Sequence, residues 1–194
     1  MSLRVMIIPE DPRLDTYIVQ PVVQALLSEL DRPAHAETVR NPQVQGIEDA
    51  IAKTPGIVAR YPQYDVFILV LDRDGNAGRT ERMVALRDKV LHEVAPPRPL
   101  LWCLAEQEVE VWLLAAQWGA CHKAFPDWQW ADVRAAVDAK ERYFQRFFAQ
   151  HRDLRLPGQG RGRLMEGLDI AAVAAKCPEL QRLKDELGIL LERR

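Results

Sequence analysis

The sequence predicts an α/β fold: a parallel sheet flanked by helices, carrying a helical extension at its C-terminal end. Three observations carry this reading. Residues 66–71 form an unbroken apolar run, Val-Phe-Ile-Leu-Val-Leu, bounded by Asp65 and Asp72; branched and aromatic residues in such a run mark a strand buried on both faces. Strand and helix patterns alternate from residue 3 to residue 119. Beyond Gly119 strand patterns stop, and two long helical stretches follow. The expected division is an α/β domain over residues 1–120 and a helical extension, 121–194, packed on it.

The elements follow in order. Leu3–Ile8 reads as the first strand, ended by Pro9-Glu10-Asp11-Pro12. Asp15 or Thr16 is placed to cap a helix whose apolar positions Ile18, Val22, Leu26 and Leu30 recur every four residues. Pro21 is expected to kink that helix or mark its start. Ala34–Val39 is a weaker second strand. Residues 46–60 have a helical pattern with an expected break at Pro55-Gly56. The strand ending at Asp72 leads through Asn76-Ala77-Gly78 into a helix over about Thr80–Glu93, with Met83, Leu86, Val90 and Val94 on one face. Pro96-Pro97-Arg98-Pro99 stops it. Leu100–Leu104 is the fourth strand and runs directly into Ala105–Leu114, the start of another helix. Residues 128–151 and 164–191 read as helices, separated by the Gly-rich stretch 157–163.

Composition narrows the function classes. With 194 residues, 48% hydrophobic and 28% charged, the chain is of ordinary globular type. A net charge of −2 announces no global basic field for nucleic acid or membrane. Cys103, Cys121 and Cys177 are odd in number and scattered, which points to a reducing, cytoplasmic setting rather than a disulfide framework. Cys121-His122 is an isolated pair without zinc-site spacing. The apolar run before Pro9 is too short for a signal peptide, and no run reaches the ~20 apolar residues of a membrane span.

The chemistry-bearing residues are acids at strand ends. Glu10 follows the first strand, Asp72 and Asp74 the third, and Glu106, Glu108 and Glu110 the fourth. In a parallel sheet all these ends lie on one side, where ligands of open α/β sheets bind. Strand period two is expected to point Asp72 and Asp74 the same way. Crowded carboxylates repel one another unless a cation neutralises them, and hard oxygen donors suit Mg²⁺ or Mn²⁺. Glu106 alone reads as a helix first-turn acid favoured by the dipole.

A Glu after strand one, followed by a buried strand ending in Asp-x-Asp, resembles the Toprim domain of topoisomerases, bacterial primases, recombination proteins and overcoming-lysogenization-defect nucleases. Glu108-Val109-Glu110-Val111-Trp112-Leu113-Leu114 is similar to the Glu-x-Glu-x-Trp element of bacterial Toprim-like proteins linked to mobile elements and phage defence. The resemblance covers residues 3 to about 118. It implies a metal-dependent nuclease with Glu10 as general base or acid, Asp72 and Asp74 holding the metal and Asp15 assisting there. Position in the chain adds Glu108, near the strand end, as a second catalytic candidate, with Glu110 and Trp112 in support. Nucleic acid would be the substrate, DNA or RNA, with an ATPase or other defence component as a further partner. Arg73, Arg79, Lys140, Arg155, Arg161 and Arg163 are the candidate phosphate-binding residues. The family places Gly after the first Glu; here Asp11 and Pro12 follow, so this loop differs.

Other readings use the same residues. A non-catalytic Toprim-like module would bind nucleic acid or a partner without cutting. Asp72-Arg73-Asp74-Gly75 also resembles the Asp-x-Asp motif of haloacid-dehalogenase-type phosphatases, with Asp72 as nucleophile and Asp74 as acid–base residue, but no downstream strand ends in an acidic pair. A glycosyltransferase reading lacks an acceptor region. No Walker lysine motif, G-x-G-x-x-G or G-x-S-x-G element occurs.

In the extension, Tyr143, Phe144, Phe147 and Phe148 share one helix face and read as core. Arg155–Arg163 reads either as a basic phosphate-tracking loop or as a solvated linker. Trp118, Trp128 and Trp130 are expected to join the extension to the sheet domain. Glu108 and Glu110, about 200° apart if both helical, are expected to diverge. Glu108 would then face the acidic site, and Glu110 would pair with Lys140 or an Arg between 155 and 163.

Overall fold

The computed structural model describes residues 2–30, 33–151 and 157–192. Four parallel strands lie in the order β2-β1-β3-β4: β1 (Leu3–Pro9), β2 (Ala34–Thr38), β3 (Val66–Asp72) and β4 (Leu100–Ala105). The crossovers are α1 (Thr16–Ser28), α2 (Ile47–Arg60) and α3 (Arg79–Glu93). Further helices follow: α4 (Glu110–Ala116), α5 (Trp118–Ala124), α6 (Trp130–Ala135), a π-helical turn (Lys140–Phe144), α7 (Gln145–Phe148), α8 (Pro157–Leu164), α9 (Ile170–Lys176) and α10 (Pro178–Glu192). The arrangement is an α/β sheet flanked by helices, consistent with a Toprim-like fold.

The period-two alternation of the strands divides the core into two layers. Val5, Ile7, Val66, Ile68, Val70, Cys103 and Ala105 face α1, α4 and the helices beyond, α10 included. Met6, Ile8, Phe67, Leu69, Leu71 and Leu104 face α2 and α3. The C-terminal helices therefore complete one face of the sheet. Tyr143, Phe144 and Phe147 are buried in that layer. Trp118 packs edge-on against Trp130, and Trp128 stacks on Phe125, so these aromatics knit the helices after α4 together.

Several local expectations are corrected. Pro55 does not break α2, and Pro21 lies inside α1 rather than at its start. Each proline removes one N–H, and the buried faces of both helices, including Ile57 and Val58 or Val22 and Val23, hold the turns in place. Asp15 is the N-cap of α1 but makes no side-chain cap bond. Its carboxylate instead accepts from the Asp11 backbone N–H at 2.9 Å. The expected helix 128–151 is three short pieces, and 164–191 is interrupted between Leu164 and Ile170. The basic stretch expected as a loop or linker contains helix from Pro157 onward. Tyr17 of α1 lies so close to Gly158 that a Cβ there would meet the ring at 2.4 Å. Arg155 lies outside the described residues.

Candidate metal and active site

The chain leaves β1 toward β2 on one side and β3 toward β4 on the other, so the topological switch point lies between β1 and β3. A crevice forms there, beyond the carboxyl ends of the strands. Glu10 and Asp72 stand at those two ends, and the Asp72 N–H lies 3.5 Å from Glu10 Oε2. A cleft of about 430 Å³ opens above them, lined by Glu10, Asp15, Gly46, Asp72 and Lys140 among others. Gly46 closes one side: its N–H donates to the Glu10 carbonyl at 3.0 Å, and its φ of 81° is a conformation that favours glycine.

Asp72, Glu108 and Glu110 each offer an oxygen within 4.8 Å of the others. The loop after β4 makes this possible. Helix α4 starts at Glu110, so Glu108 sits outside it and the 200° separation expected for two helical residues does not apply. Asp72 Oδ1 accepts the Val109 N–H at 2.8 Å, fixing the short segment between the two glutamates against the end of β3. Glu108 accepts the Lys140 backbone N–H at 2.6 Å. Glu110 Oε1 receives Arg161 Nη2 at 2.8 Å and Lys140 Nζ at 3.0 Å. Glu110 is 1% exposed, and its Oε2 has no hydrogen-bond partner among the described residues.

Asp74, expected beside Asp72, stands apart from this group. The strand ends at Asp72, so period two no longer governs the next residues, and Asp74 has a φ of 45°. Its carboxylate pairs with Arg79 at 2.8 Å. Asp15 does enter the cleft, with Oδ1 3.8 Å from Arg161 Nη1.

Of the basic candidates, Lys140 and Arg161 reach the acids. Arg73 pairs with Glu106 at 2.7 Å, Arg79 is buried against Asp74, and Arg163 is exposed on α8. Arg161 is itself buried and lies 5.1 Å over the Phe144 ring, so it serves the interior rather than an open phosphate track.

Five carboxylates, those of Glu10, Asp15, Asp72, Glu108 and Glu110, thus face the Lys140 and Arg161 cations in a half-buried space. The electrostatic consequence is a set of raised carboxyl pKa values. Burial, then the charges of Glu110, Asp15 and Glu10, pushes the Asp72 carboxyl well above its ordinary range. Burial raises Asp15 to about 7 and Glu108 to about 7, each against a backbone hydrogen bond that favours the anion. Glu10 is raised by burial as well, with the Asp74 charge adding to it. For Lys140 burial opposes the charge, but Glu110 and Glu108 outweigh it and its pKa rises.

Glu179 is a residue that the strand-end pattern does not single out. Its carboxylate takes Trp112 Nε1–H at 2.9 Å and both Arg134 Nη groups at 2.8 and 2.9 Å. Pro178 and Glu179 open α10, so this knot ties the last helix to the Trp112 core position. A buried Trp with a polar N–H needs such an acceptor, and that need was the available signal. Comparisons with protein-family models, with curated proteins and with solved structures find no match to this chain.

Proposed function

We propose that this protein is a divalent-metal-dependent, Toprim-like nuclease that hydrolyses nucleic-acid phosphodiesters. The observation that carries the reading is the excess of carboxylates over cations at the switch point of the sheet. Stacked acids in a low-dielectric crevice are costly unless a cation or protons neutralise them. The donor set fits Mg²⁺ or Mn²⁺: it is all hard oxygen, and Glu110 Oε2 is buried without a partner among the described residues. Asp72, Glu108 and Glu110 would hold the ion. When bound, such an ion supplies Lewis-acid polarisation of a phosphoryl oxygen and lowers the pKa of water.

The chain's own contribution is proton handling and orientation. Glu10, raised by burial and open to the cleft, is placed to take the proton of an attacking water as the new P–O bond forms. The departing ester oxygen leaves toward solvent and is protonated there. Lys140, at the cleft wall, is placed to meet a phosphate oxygen. The Asp74–Arg79 pair supports this reading over a haloacid-dehalogenase-type phosphatase, which would need Asp74 as a free acid–base group.

A second reading rests on Glu110, which already holds Arg161 and Lys140: a Toprim-like module that binds nucleic acid or a partner protein without cutting. Labelled single- and double-stranded DNA and RNA oligonucleotides, incubated with Mn²⁺ or Mg²⁺ and with a chelator, separate the two. Metal-dependent cleavage that disappears in Asp72→Asn and Glu10→Gln supports the nuclease. Metal binding without turnover on any substrate favours the module.

A further inference from the structure

We infer that Lys140 is a built-in competitor of the divalent cation, its ammonium holding Glu110 until the metal displaces it. The inference rests on the proposed metal site and concerns how that site is regulated.

The Glu110 carboxylate is held asymmetrically. One oxygen, Oε1, receives two cations, Arg161 at 2.8 Å and Lys140 at 3.0 Å, while Oε2 receives none among the described residues. One of the two cations is therefore redundant for neutralising this carboxylate. The two differ in freedom. Arg161 is buried, faces Asp15 at 3.8 Å and lies over Phe144 at 5.1 Å, so three contacts fix it. The Lys140 side chain is 34% exposed and lines the open cleft with Glu10, Asp15 and Asp72. A flexible four-carbon stem carrying a point charge can swing away without disturbing the backbone.

The backbone of Lys140 is held separately. Its N–H donates to Glu108 at 2.6 Å, at the start of the π-helical turn Lys140–Phe144. Such turns interrupt regular helix and commonly occur at functional sites. Here the turn presents one residue to both glutamates: the N–H to Glu108 and the ammonium to Glu110. Departure of the ammonium leaves the N–H in place, and Arg161 still anchors Glu110. The charge that leaves the acidic group is then replaced by the arriving cation.

The test is Mn²⁺ binding, read by calorimetry and by electron paramagnetic resonance of the free ion, at fixed pH on the full chain. Lys140→Gln removes the competing charge and is expected to tighten Mn²⁺ binding about tenfold or more. Lys140→Arg, which keeps the charge, is expected to bind no more tightly than the parent. Lys89→Gln on α3, paired with Glu93 at 4.0 Å, makes the same change in net charge far from the cleft and is expected to leave affinity unchanged. Thermal melts confirm that each variant is folded. Equal Mn²⁺ affinity in the parent and Lys140→Gln overturns the competition and leaves the metal site standing, and weaker binding in Lys140→Gln does the same by making Lys140 a support. Absence of Mn²⁺ binding in both proteins overturns the competition and the metal site together.

Discussion

Replacing Arg161 by Met should destabilise the protein by about 3 kcal/mol, because it removes the fixed cation from a buried carboxylate. Arg161 is 4% exposed and Glu110 1% exposed. Breaking such a pair from one side costs about 3–5 kcal/mol, since the remaining charge stays buried. Lys140 remains on the same oxygen at 3.0 Å, which pulls the cost toward the lower end. Loss of the cation–π contact with Phe144 adds about 0.5–1 kcal/mol, and the Met stem keeps much of the apolar packing. Urea unfolding at neutral pH reads this as a shift of the midpoint by about 1–2 M at constant slope. The double variant Arg161→Met/Glu110→Leu should recover most of the loss, because neither charge is then left alone. A loss below about 1 kcal/mol for Arg161→Met would refute the reasoning, as would a double variant no more stable than the single one.

Further outcomes follow from the same structure. Burial raises Asp15 from 3.8 to about 7 and Glu108 from 4.5 to about 7, so the folded chain keeps protons that the unfolded chain releases in that window. Their contribution is full below the unfolded values and is lost as pH rises toward about 7, so urea stability should fall from about pH 4 to about pH 7, and less so in Asp15→Asn. Glu179→Ala should cost about 3 kcal/mol or more, measured by chemical denaturation, because it strands Arg134 and the Trp112 N–H together. Gly158→Ala should lower stability by about 1–3 kcal/mol, since its Cβ would press on Tyr17, and the loss should shrink in a Tyr17→Ala background.

The sheet and one side of the site are legible in the sequence for definite physical reasons. The run at residues 66–71 has the branched and aromatic composition of a doubly buried strand, and β3 is observed over Val66–Asp72. The alternation of patterns gave four parallel strands, and parallel order alone puts Glu10 and Asp72 at the same sheet edge. The pairing of Glu110 with Lys140 and Arg161 followed from the cost of burying a lone carboxylate beside Trp112. What escaped depended on where elements end. Asp74 was placed by strand periodicity one residue pair beyond the last strand residue, and Glu108 by helix periodicity two residues before the helix begins. Neither boundary is marked by Pro at that position, and the turn between them is set by long-range contacts such as Arg73 and Asp74 N–H to the Gln107 carbonyl. Glycines at 158 and 162 suggested a loop, whereas they serve close packing of α8 on Tyr17.

One titration tests the metal centre most directly: Mn²⁺ added to the parent protein and to Asp72→Asn near neutral pH, followed by calorimetry. Asn can still accept the Val109 N–H, so the variant should fold with an unchanged or higher melting temperature without metal. The parent should bind one Mn²⁺ per chain, and Asp72→Asn should bind it at least about tenfold more weakly. A parent that takes up no Mn²⁺, or a variant that binds it as tightly, would contradict the assignment of this cleft as a metal centre.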